Sequence, residues 1–518
     1  MKRIFVSYRR LDSGEVVVGM ARRLRALFDR DEIFMDILDL EPGMDFVDAL
    51  EQRLTACDAA IIVIGPDWLG AGGPAGSRRI DDRGDFVRLE VERVLDRNIP
   101  AIPVLVRGAG MPGAVELPET LAKLPRLQAF TISEPQLEAG LQPLVDRLVR
   151  LLRRWQPARI AGEKPGSVWE CAWYDICWLS ETDGWLCGAI SEGGGGGDVG
   201  NGLLLATRDA GATWRQAAHI VSGAGKFTWG PRGTREYSWT EVGPVKALLF
   251  YGRRTGADDY TAGVIATATG VYMATAPFGR LDHQAEWRRV TPPPDHPERY
   301  AFYAGVAALE GLSELYACGW QGIAHWTARS GRWELEQPTY FYDITAVAAA
   351  GGSENRSVWA VGRAGEDERG NRGDRSHGAI YRLAWPENRW EAVSMPGVAF
   401  EEAQTLYDVC APDAHTVFAV GNGGLIIRGV RERNGEWNWT QLPAPTNLLL
   451  RSITASVWGL WIVGDGGTIW NSLDRGDHWT QLAPVAGAGG QGAGLGRVRF
   501  FGETGWIVGS RTVLKSEW

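Results

Sequence analysis

The sequence predicts a multidomain protein, with an α/β domain at the N-terminus followed by an all-β propeller of seven blades. The distribution of tryptophan separates the two parts, because Trp68 is the only one of 24 tryptophans that precedes Trp155. The first part alternates short apolar runs with helical patterns, whereas the second repeats a strand-rich unit. We therefore predict domains at residues 1–152 and 167–518, joined by a linker at 153–166.

The N-terminal part has the pattern of a parallel sheet covered by helices on both faces. Continuous apolar strands that alternate with helices are typical of such a sheet, and they are seen here. The strand-like runs are at 4–8, 32–36, 59–65, 100–106 and 127–132, and the helical patterns are around 15–28, 46–55 and 85–97, with a last one ending near 153. The linker is charged, contains Pro and Gly and lacks a helical period, which favours an exposed connection.

The second part repeats a short apolar strand ending in a small residue and Gly, a hairpin, and then a strand led by Trp. The first portion recurs seven times, at 184–188, 262–274, 315–326, 358–362, 417–429, 460–470 and 505–509. The Trp-led strands follow only six times, at Trp214, Trp287, Trp333, Trp390, Trp439 and Trp479. We therefore expect the 167–171 strand, which carries Trp169, to complete the last blade, so that the closed ring leaves no exposed edge.

Composition narrows the classes of partner and cofactor. The net charge of −9 gives no basic surface for nucleic acid. No run approaches the roughly 18 apolar residues of a membrane span, and the first residues lack a signal-peptide pattern. The six cysteines show no paired spacing, which favours a reducing compartment, and we expect a cytoplasmic protein. The acidic stretch from Asp36 to Asp45 lacks the alternation of ligands that a calcium loop has, so we expect no bound metal. From the net charge and the lack of a long apolar run, we also expect no nucleic-acid or membrane partner.

A polar cluster follows the first predicted strand. Ser7, Tyr8, Arg9 and Arg10 stand at its carboxyl end, where open α/β sheets bind their ligands. The cluster offers a hydroxyl, a phenol that can stack on a base, and two guanidiniums suited to phosphate groups.

A carboxylate falls within an apolar helix face. At 100° per residue, Glu90 lies within the arc formed by the apolar residues of its helix, whereas Glu92 lies on the opposite side. The arc consists of Phe86, Val87, Val91, Val94 and Leu95. A carboxylate in such a position must be paired or line a cleft. Periodicity alone leaves both alternatives open: an ion pair with Arg93 or Arg97, or a functional site.

Five ordered blocks within residues 1–152 resemble TIR domains, especially bacterial ones and the animal axon-degeneration TIR NADase. The blocks are FVSYRR, FMDILDLEPGMDF, ACDAAIIVIGPDWL, DFVRLEVERVL and IPAIPVLV. The resemblance implies a flavodoxin-like fold, NAD⁺ as substrate rather than bound cofactor, and 37–45 as the BB loop that gates the NAD pocket and makes TIR–TIR contacts. It also implies that Glu90 is the catalytic glutamate, and Phe86 stands where the animal enzyme has Trp.

The same resemblance suggests which residues contact NAD⁺. Arg9 and Arg10 are expected to hold the pyrophosphate, with Tyr8 or Phe5 near the adenine, and Trp68 either walls the pocket or packs in the core. The full predicted set is Phe5, Ser7, Tyr8, Arg9, Arg10, Asp36, Gly43, Trp68 and Phe86. Cleaving the nicotinamide–ribose bond builds positive charge on the sugar, which a carboxylate stabilises. The nicotinamide ring of NAD⁺ is already cationic and departs as a neutral molecule, so no general acid is required to expel it.

Two segments of the repeat region, 207–214 and 472–479, fit the pattern S/T-x-D-x-G-x-x-W. This resembles the Asp-box of BNR, sialidase-like and photosystem-assembly propellers. We interpret it structurally: the Asp bonds turn amides and the Gly supplies a positive φ. A sialidase site would need an Arg triad and a Tyr nucleophile, which the sequence does not provide in recognisable form. The Gly-rich stretches 191–201 and 486–496 and the charged stretch 365–378 are expected to be solvated loops.

These observations lead to an expected function. The leading hypothesis is a NAD⁺ glycohydrolase of prokaryotic immune signalling, with ADP-ribosyl cyclase activity as a variant of the same chemistry. It would self-associate through its TIR domain and be regulated by a propeller that senses or docks an unidentified ligand or protein. Two alternatives stay open: a non-catalytic TIR adaptor or scaffold, and a glycan-processing hydrolase with the TIR domain as a passenger.

Overall fold

The structure, a computed structural model, divides the chain into two compact units, Met1–Arg154 and Trp155–Glu517. The described residues are 3–28, 33–35, 51, 54–55, 57–70, 77–133, 137–162, 171–190, 201–218, 224–229, 235–240, 244–253, 260–267, 270–277, 287–290, 303–309, 314–319, 322–327, 329–336, 341–351, 356–364, 378–384, 389–398, 400–401, 404–483, 485 and 494–517.

The N-terminal unit contains a five-stranded parallel sheet in the order β2-β1-β3-β4-β5. The strands are β1 Ile4–Ser7, β2 Ile33–Met35, β3 Ala59–Ile64, β4 Ala101–Val106 and β5 Phe130–Ile132. In the central part of the sheet, Phe5 of β1 lies opposite Phe34 of β2 and Ala60 of β3. All six residues of β3 are buried, as expected for a strand covered on both faces. The predicted α/β class with a parallel sheet is confirmed.

Three α-helices are described in this unit: α1 Arg10–Leu27, α2 Phe86–Asp96 and α3 Leu137–Leu152. Short 3₁₀ helices lie at Arg79–Asp81, Ala114–Glu116, Glu119–Leu121 and Leu124–Arg126. In α2 the buried residues include Glu90, which therefore lies on the buried face that the periodicity predicted. Phe86, predicted to share that arc, is instead half exposed, because it is the first residue of the helix and lies beyond the packed turns.

The second unit is a ring of seven four-stranded sheets, which confirms the predicted seven-bladed propeller. Blade 1 consists of β7 Ala172–Trp178, β8 Gly184–Ile190, β9 Asn201–Thr207 and β10 Arg215–Ala218; blade 2 of β13 Val245–Arg253, β14 Tyr260–Thr267, β15 Val271–Pro277 and β16 Arg288–Arg289; blade 3 of β17 Tyr303–Ala308, β18 Glu314–Gly319, β19 Gly322–Thr327 and β20 Trp333–Glu336; blade 4 of β21 Phe341–Ala350, β22 Ser357–Ala364, β23 Gly378–Ala384 and β24 Arg389–Ala392.

The remaining strands complete the ring. Blade 5 consists of β25 Leu406–Asp413, β26 Thr416–Gly421, β27 Ile426–Arg431 and β28 Trp437–Gln441; blade 6 of β29 Leu450–Ser456, β30 Gly459–Gly464, β31 Ile469–Ser472 and β32 Thr480–Gln481; blade 7 of β33 Leu495–Phe501, β34 Thr504–Gly509, β35 Thr512–Glu517 and β6 Arg154–Pro157. A separate hairpin, β11 Ala224–Trp229 and β12 Arg235–Thr240, lies between blades 1 and 2 in the chain. The six predicted tryptophans lie in the fourth strands of blades 1 to 6 or immediately before them.

The strand that closes the ring differs from the predicted one. Blade 7 is completed by β6, which lies within the predicted linker 153–166, and not by the predicted 167–171 strand. The ring of Trp155 in β6 packs edge-on against that of Trp461, with 5.5 Å between the ring centroids. Trp155 is therefore the tryptophan of the closing strand, the role that was predicted for Trp169. A four-residue outer strand buries few side chains, so its sequence needs little apolar content. The charge and the Pro and Gly residues of this segment therefore made it resemble a linker. Of 167–171, only Cys171 lies among the described residues.

The two S/T-x-D-x-G-x-x-W segments adopt the same hydrogen-bonded turn. Asp209 Oδ1 accepts the amide of Thr213 at 2.8 Å, and the hydroxyl of Thr207 accepts the amide of Gly211 at 3.0 Å. Asp474 and Ser472 accept the equivalent amides of His478 and Gly476 at 2.9 and 2.8 Å. The glycines adopt φ of +85° and +91°, which an L residue rarely takes. These contacts fit the conformational role assigned from the sequence.

Candidate active site at the carboxyl edge of the parallel sheet

Ser7 and Glu90 meet at the carboxyl edge of the sheet. Ser7 is the last residue of β1 and Glu90 is the fifth residue of α2, so the fold brings together residues 83 positions apart. The hydroxyl of Ser7 donates to Glu90 Oε2 at 2.6 Å, and both residues are buried. A charge-assisted hydrogen bond of this length fixes the direction of a carboxylate. The sequence predicted both residues for this site, and the fold places them in contact.

Arg9 occupies a different role from the predicted one. Its guanidinium donates to both carboxylate oxygens of Asp85, at 3.0 and 2.9 Å, and its Nε donates to the carbonyl oxygen of Trp68 at 2.7 Å. The side chain is only 4% exposed. Because Nε, Nη1 and Nη2 all donate to protein oxygens and the side chain is almost fully buried, Arg9 presents no donor to a pyrophosphate, and the expectation that it holds that group is corrected to a structural role.

Asp85 is a structural residue of this edge whose role the sequence argument did not predict. It is the N-cap of α2, where its Oδ1 accepts the amide of Arg88 at 3.0 Å, and it also receives Arg79 Nε at 2.9 Å. A carboxylate at a helix N-terminus is stabilised by the orphan amides and the helix dipole. The signal was present in the sequence, since an Asp directly before an apolar periodic segment predicts an N-cap.

Two of the predicted substrate contacts are core residues. Phe5 has no exposed surface and its ring lies 5.2 Å from that of Phe34, so its assignment to the adenine end is corrected. Trp68 is 1% exposed and packs with Ile80 and Val91, which matches the packing alternative proposed for it. A fully buried ring has no surface left for a ligand in this conformation.

Three predicted contacts remain open to solvent near this edge. Arg10 is exposed at the first position of α1, Tyr8 is partly exposed just before it, and Phe86 is 50% exposed at the first position of α2. Each of these three side chains thus presents surface to solvent at this edge. Asp36 and Gly43, together with the predicted BB loop at 37–45, lie outside the described residues.

The ion-pair alternative for Glu90 can be compared with the contacts of the two arginines. Arg93 Nε lies 2.7 Å from Glu51 Oε1, and Arg97 also pairs with Glu51. Both guanidiniums thus lie against a carboxylate other than Glu90. The described contacts of these two arginines therefore do not include the ion pair with Glu90 that periodicity left open.

A second buried carboxylate, missed in the sequence, lies at the same edge of the sheet. Asp12 in the first turn of α1 accepts the amide of Asp67 at 2.9 Å through Oδ1, and its buried Oδ2 has no hydrogen-bond partner among the described residues. The carboxylate fits against the backbone of Gly65, where a Cβ would lie only 2.2 Å from Oδ2. Gly65 therefore allows the close approach of α1 to the end of β3.

Neither a metal centre nor a membrane span is found in the described part of the chain. There, no three His, Cys, Asp or Glu side chains are grouped as metal ligands. Helices long and apolar enough to cross a bilayer are also lacking among these residues.

Comparison with known proteins gives one family and several similar folds. Residues 4–145 match the family described as TIR domain. No curated protein matches the chain. Solved structures similar to it include YCF48 bound to D1 peptide (17% identity, 69% of this chain and 97% of that one, TM-score 0.45), YCF48 from Cyanidioschyzon merolae (16%, 70% and 98%, 0.45) and the WD40 β-propeller domain of Doa1 (9%, 70% and 97%, 0.45). Identities and scores this low carry no functional argument.

Proposed function

Because residues 4–145 form a TIR domain, and the chain is therefore a TIR-containing signalling protein, we propose that it cleaves the nicotinamide–ribose bond of NAD⁺. Glu90 is the proposed catalytic residue. The observation that supports this most strongly is its buried carboxylate, held at 2.6 Å by Ser7 at the sheet edge where α/β folds bind ligands.

The chemistry requires little more than a fixed negative charge. As the C–N bond breaks, the electron pair leaves with neutral nicotinamide and positive charge develops on the ribose. The Glu90 carboxylate stabilises that charge, and Ser7 keeps it oriented. Water then adds to the sugar and loses a proton, which gives ADP-ribose; attack by the adenine ring would instead give the cyclic product. NAD⁺ is thus the substrate, and no bound cofactor is needed.

Substrate binding falls to the solvent-open side chains at this edge. We propose that Arg10 pairs with the pyrophosphate and that Tyr8 and Phe86 pack against the rings, with Asp36 and Gly43 contributing from outside the described residues. Self-association through the TIR domain would complete the site, and the propeller would act as the sensing or docking module. We assign the protein to prokaryotic immune signalling in the cytoplasm, where its substrate is abundant.

The test is nicotinamide release from NAD⁺ by the full chain and by residues 1–154, which correspond to the N-terminal compact unit. Glu90→Gln keeps an oxygen that accepts from Ser7 but removes the charge. Glu92→Gln is the matched control, since Glu92 lies on the same helix and pairs with Arg88 at 2.7 Å instead. We expect Glu90→Gln to lower the rate of release about 10²–10³-fold and Glu92→Gln to preserve it. Folded, self-associated wild-type protein without turnover would favour the adaptor alternative.

A further inference from the structure

The first strands of the propeller blades line a partly open cavity of about 320 Å³. These strands are the first of each sheet, and the pairing of each of the seven with the second strand shows a register shift typical of a bulge. Cavities of roughly 300 Å³ and more hold small organic ligands. The chemistry of the wall therefore determines what this one can bind.

One side of the wall carries two ion pairs. Arg499 donates to Asp175 through Nε and Nη2, at 3.1 and 3.3 Å. Arg497 donates through Nη1 to Asp408 at 2.8 Å, while its Nε lies 3.9 Å from Asp175 Oδ1. Both guanidiniums thus lie near Oδ1 of Asp175, because Arg497 and Arg499 are two residues apart and share a face of β33.

The two carboxylates are already fully bonded by the protein. Asp408 Oδ2 accepts the hydroxyl of Ser452 at 2.7 Å and the amide of Ile453 at 3.0 Å, in addition to Arg497 on its other oxygen. Asp175 Oδ1 accepts the amide of Ile176 at 3.0 Å beside Arg499. Neither aspartate therefore needs a donor from a ligand.

The two arginines, in contrast, have donors left over. Arg497 Nε has no hydrogen-bond partner among the described residues, but it is buried 3.9 Å from Asp175 Oδ1 and is not itself open to the cavity. Arg499 uses Nε and Nη2, and its side chain is 37% exposed on a strand that lines the cavity, so that exposed part opens to the cavity. Burial alone would lower the pKa of Arg499, but Asp175 and Asp408 outweigh it and raise the pKa above its ordinary value. The guanidinium therefore stays charged.

The opposite side of the wall is apolar. Leu249, Ala307 and Ala348 of blades 2, 3 and 4 line it, and the small side chains leave room beside them. A ligand that fits must combine an acceptor group for the arginines with an apolar body for this side.

We propose that the propeller cavity binds a small organic anion, whose acidic group receives a hydrogen bond from Arg499 beside the positive charge of Arg497 and whose apolar body packs against Leu249, Ala307 and Ala348. The recognised group is a carboxylate or a phosphate, since both accept from a guanidinium fork. This ligand is chemically distinct from the proposed substrate of the TIR domain, and its binding does not depend on NAD⁺ cleavage.

The experiment is isothermal titration of the full chain with phenylacetate, phenyl phosphate and the neutral phenylacetamide. We expect one of the two anions to bind with one site per chain and a Kd below about 1 mM, and the amide to bind at least tenfold more weakly, because an amide carries no charge for the guanidiniums. The stronger anion identifies whether carboxylate or phosphate is preferred.

Two variants locate the site and one controls for lost charge. Arg499→Gln should weaken anion binding at least tenfold. Ala348→Phe fills the apolar side without touching a charge and should block binding. Arg451→Gln removes an arginine from an ion pair of similar exposure, with Asp465, outside the cavity wall, and should leave binding unchanged.

Three results would overturn the proposal. These are absence of binding by both anions to wild-type protein, equal binding of the amide, or binding that persists in Ala348→Phe. Circular dichroism of each variant identifies any loss of fold, and the amide comparison stands on wild-type protein alone.

Discussion

The guanidinium of Arg9 is held in a fork by the carboxylate of Asp85, with Nη1 3.0 Å from Oδ2 and Nη2 2.9 Å from Oδ1. Because Arg9 follows β1 and Asp85 caps α2, this pair fixes the start of the helix against the end of the strand. The same two elements carry Ser7 and Glu90. The buried ion pair thus positions the proposed catalytic carboxylate without touching the substrate.

Asp85→Asn should destabilise the TIR domain by about 3 kcal/mol, because it leaves the buried Arg9 without a counter-charge. The asparagine still caps the helix, so the loss reports the ion pair. Urea unfolding of residues 1–154 measures the change. The control is Asp81→Asn, which breaks the exposed pair with Arg78 and should not change stability measurably. Equal effects of the two variants would contradict the positioning role.

Ser7→Ala should lower stability by about 1–2 kcal/mol and NAD⁺ turnover by roughly tenfold, because the buried Glu90 carboxylate loses a donor and its fixed direction. A double-mutant cycle with Glu90→Gln checks the coupling. If Ser7 acts through Glu90, adding Ser7→Ala to the Glu90→Gln variant costs little further turnover. Additive losses in turnover would show that Ser7 acts independently of Glu90.

Asp209→Ala should destabilise the propeller by about 0.5–1 kcal/mol, since the side chain is exposed but bonds a turn amide. Burial alone would raise the pKa of Asp209, yet hydrogen bonds from Thr213 and Thr207 outweigh it and lower the pKa. The wild-type contribution is therefore present above pH 3.8 and is lost as pH falls through the lower folded value. Thermal unfolding from pH 3 to 7 measures it, and a difference between wild type and variant that does not shrink at low pH would contradict the assignment.

The thiols of the propeller should resist modification in the native state. Enclosure raises the pKa of Cys177 to about 11 and that of Cys410 to about 12, so both stay protonated at pH 8. Titration with Ellman's reagent at pH 8 should detect less than about one thiol per chain natively and all six in guanidinium chloride. Rapid native reaction at Cys177 or Cys410 would contradict the raised values.

The same thiols make stability fall at alkaline pH. A raised folded pKa means that their contribution is fully present below pH 9, the ordinary thiol value, and is lost as pH rises through about 11. Denaturant unfolding at pH 8 and pH 10.5 compares the free energy of unfolding at the two pH values. Replacing Cys177 with Ser should reduce the difference between them.

Periodicity and order of motifs predicted much of both folds. Glu90 was placed on the buried face because its neighbours Val91 and Val94 recur at the helical period, and that inference depends only on local geometry. The seven blades followed from a repeat of strands and tryptophans, because each blade needs the same packing.

Other features depended on contacts that one sequence does not reveal. Arg9 and Arg10 are adjacent and chemically equal, yet one is buried on Asp85 and the other is exposed. That difference arises from a partner 76 positions away. The closing strand at Trp155 was missed for a similar reason, since its partners Trp461 and Phe500 lie in later blades.

The central claim is that Glu90 is the catalytic residue for NAD⁺ cleavage, and the rate of nicotinamide release tests it most directly. Nicotinamide release should be measured for concentrated, self-associated wild-type chain, Glu90→Gln and Glu92→Gln under one condition. We expect Glu90→Gln to lose about 10²–10³-fold in turnover and Glu92→Gln to remain near wild type. Turnover retained in Glu90→Gln, or absent from wild-type protein that is folded and assembled, would contradict the account.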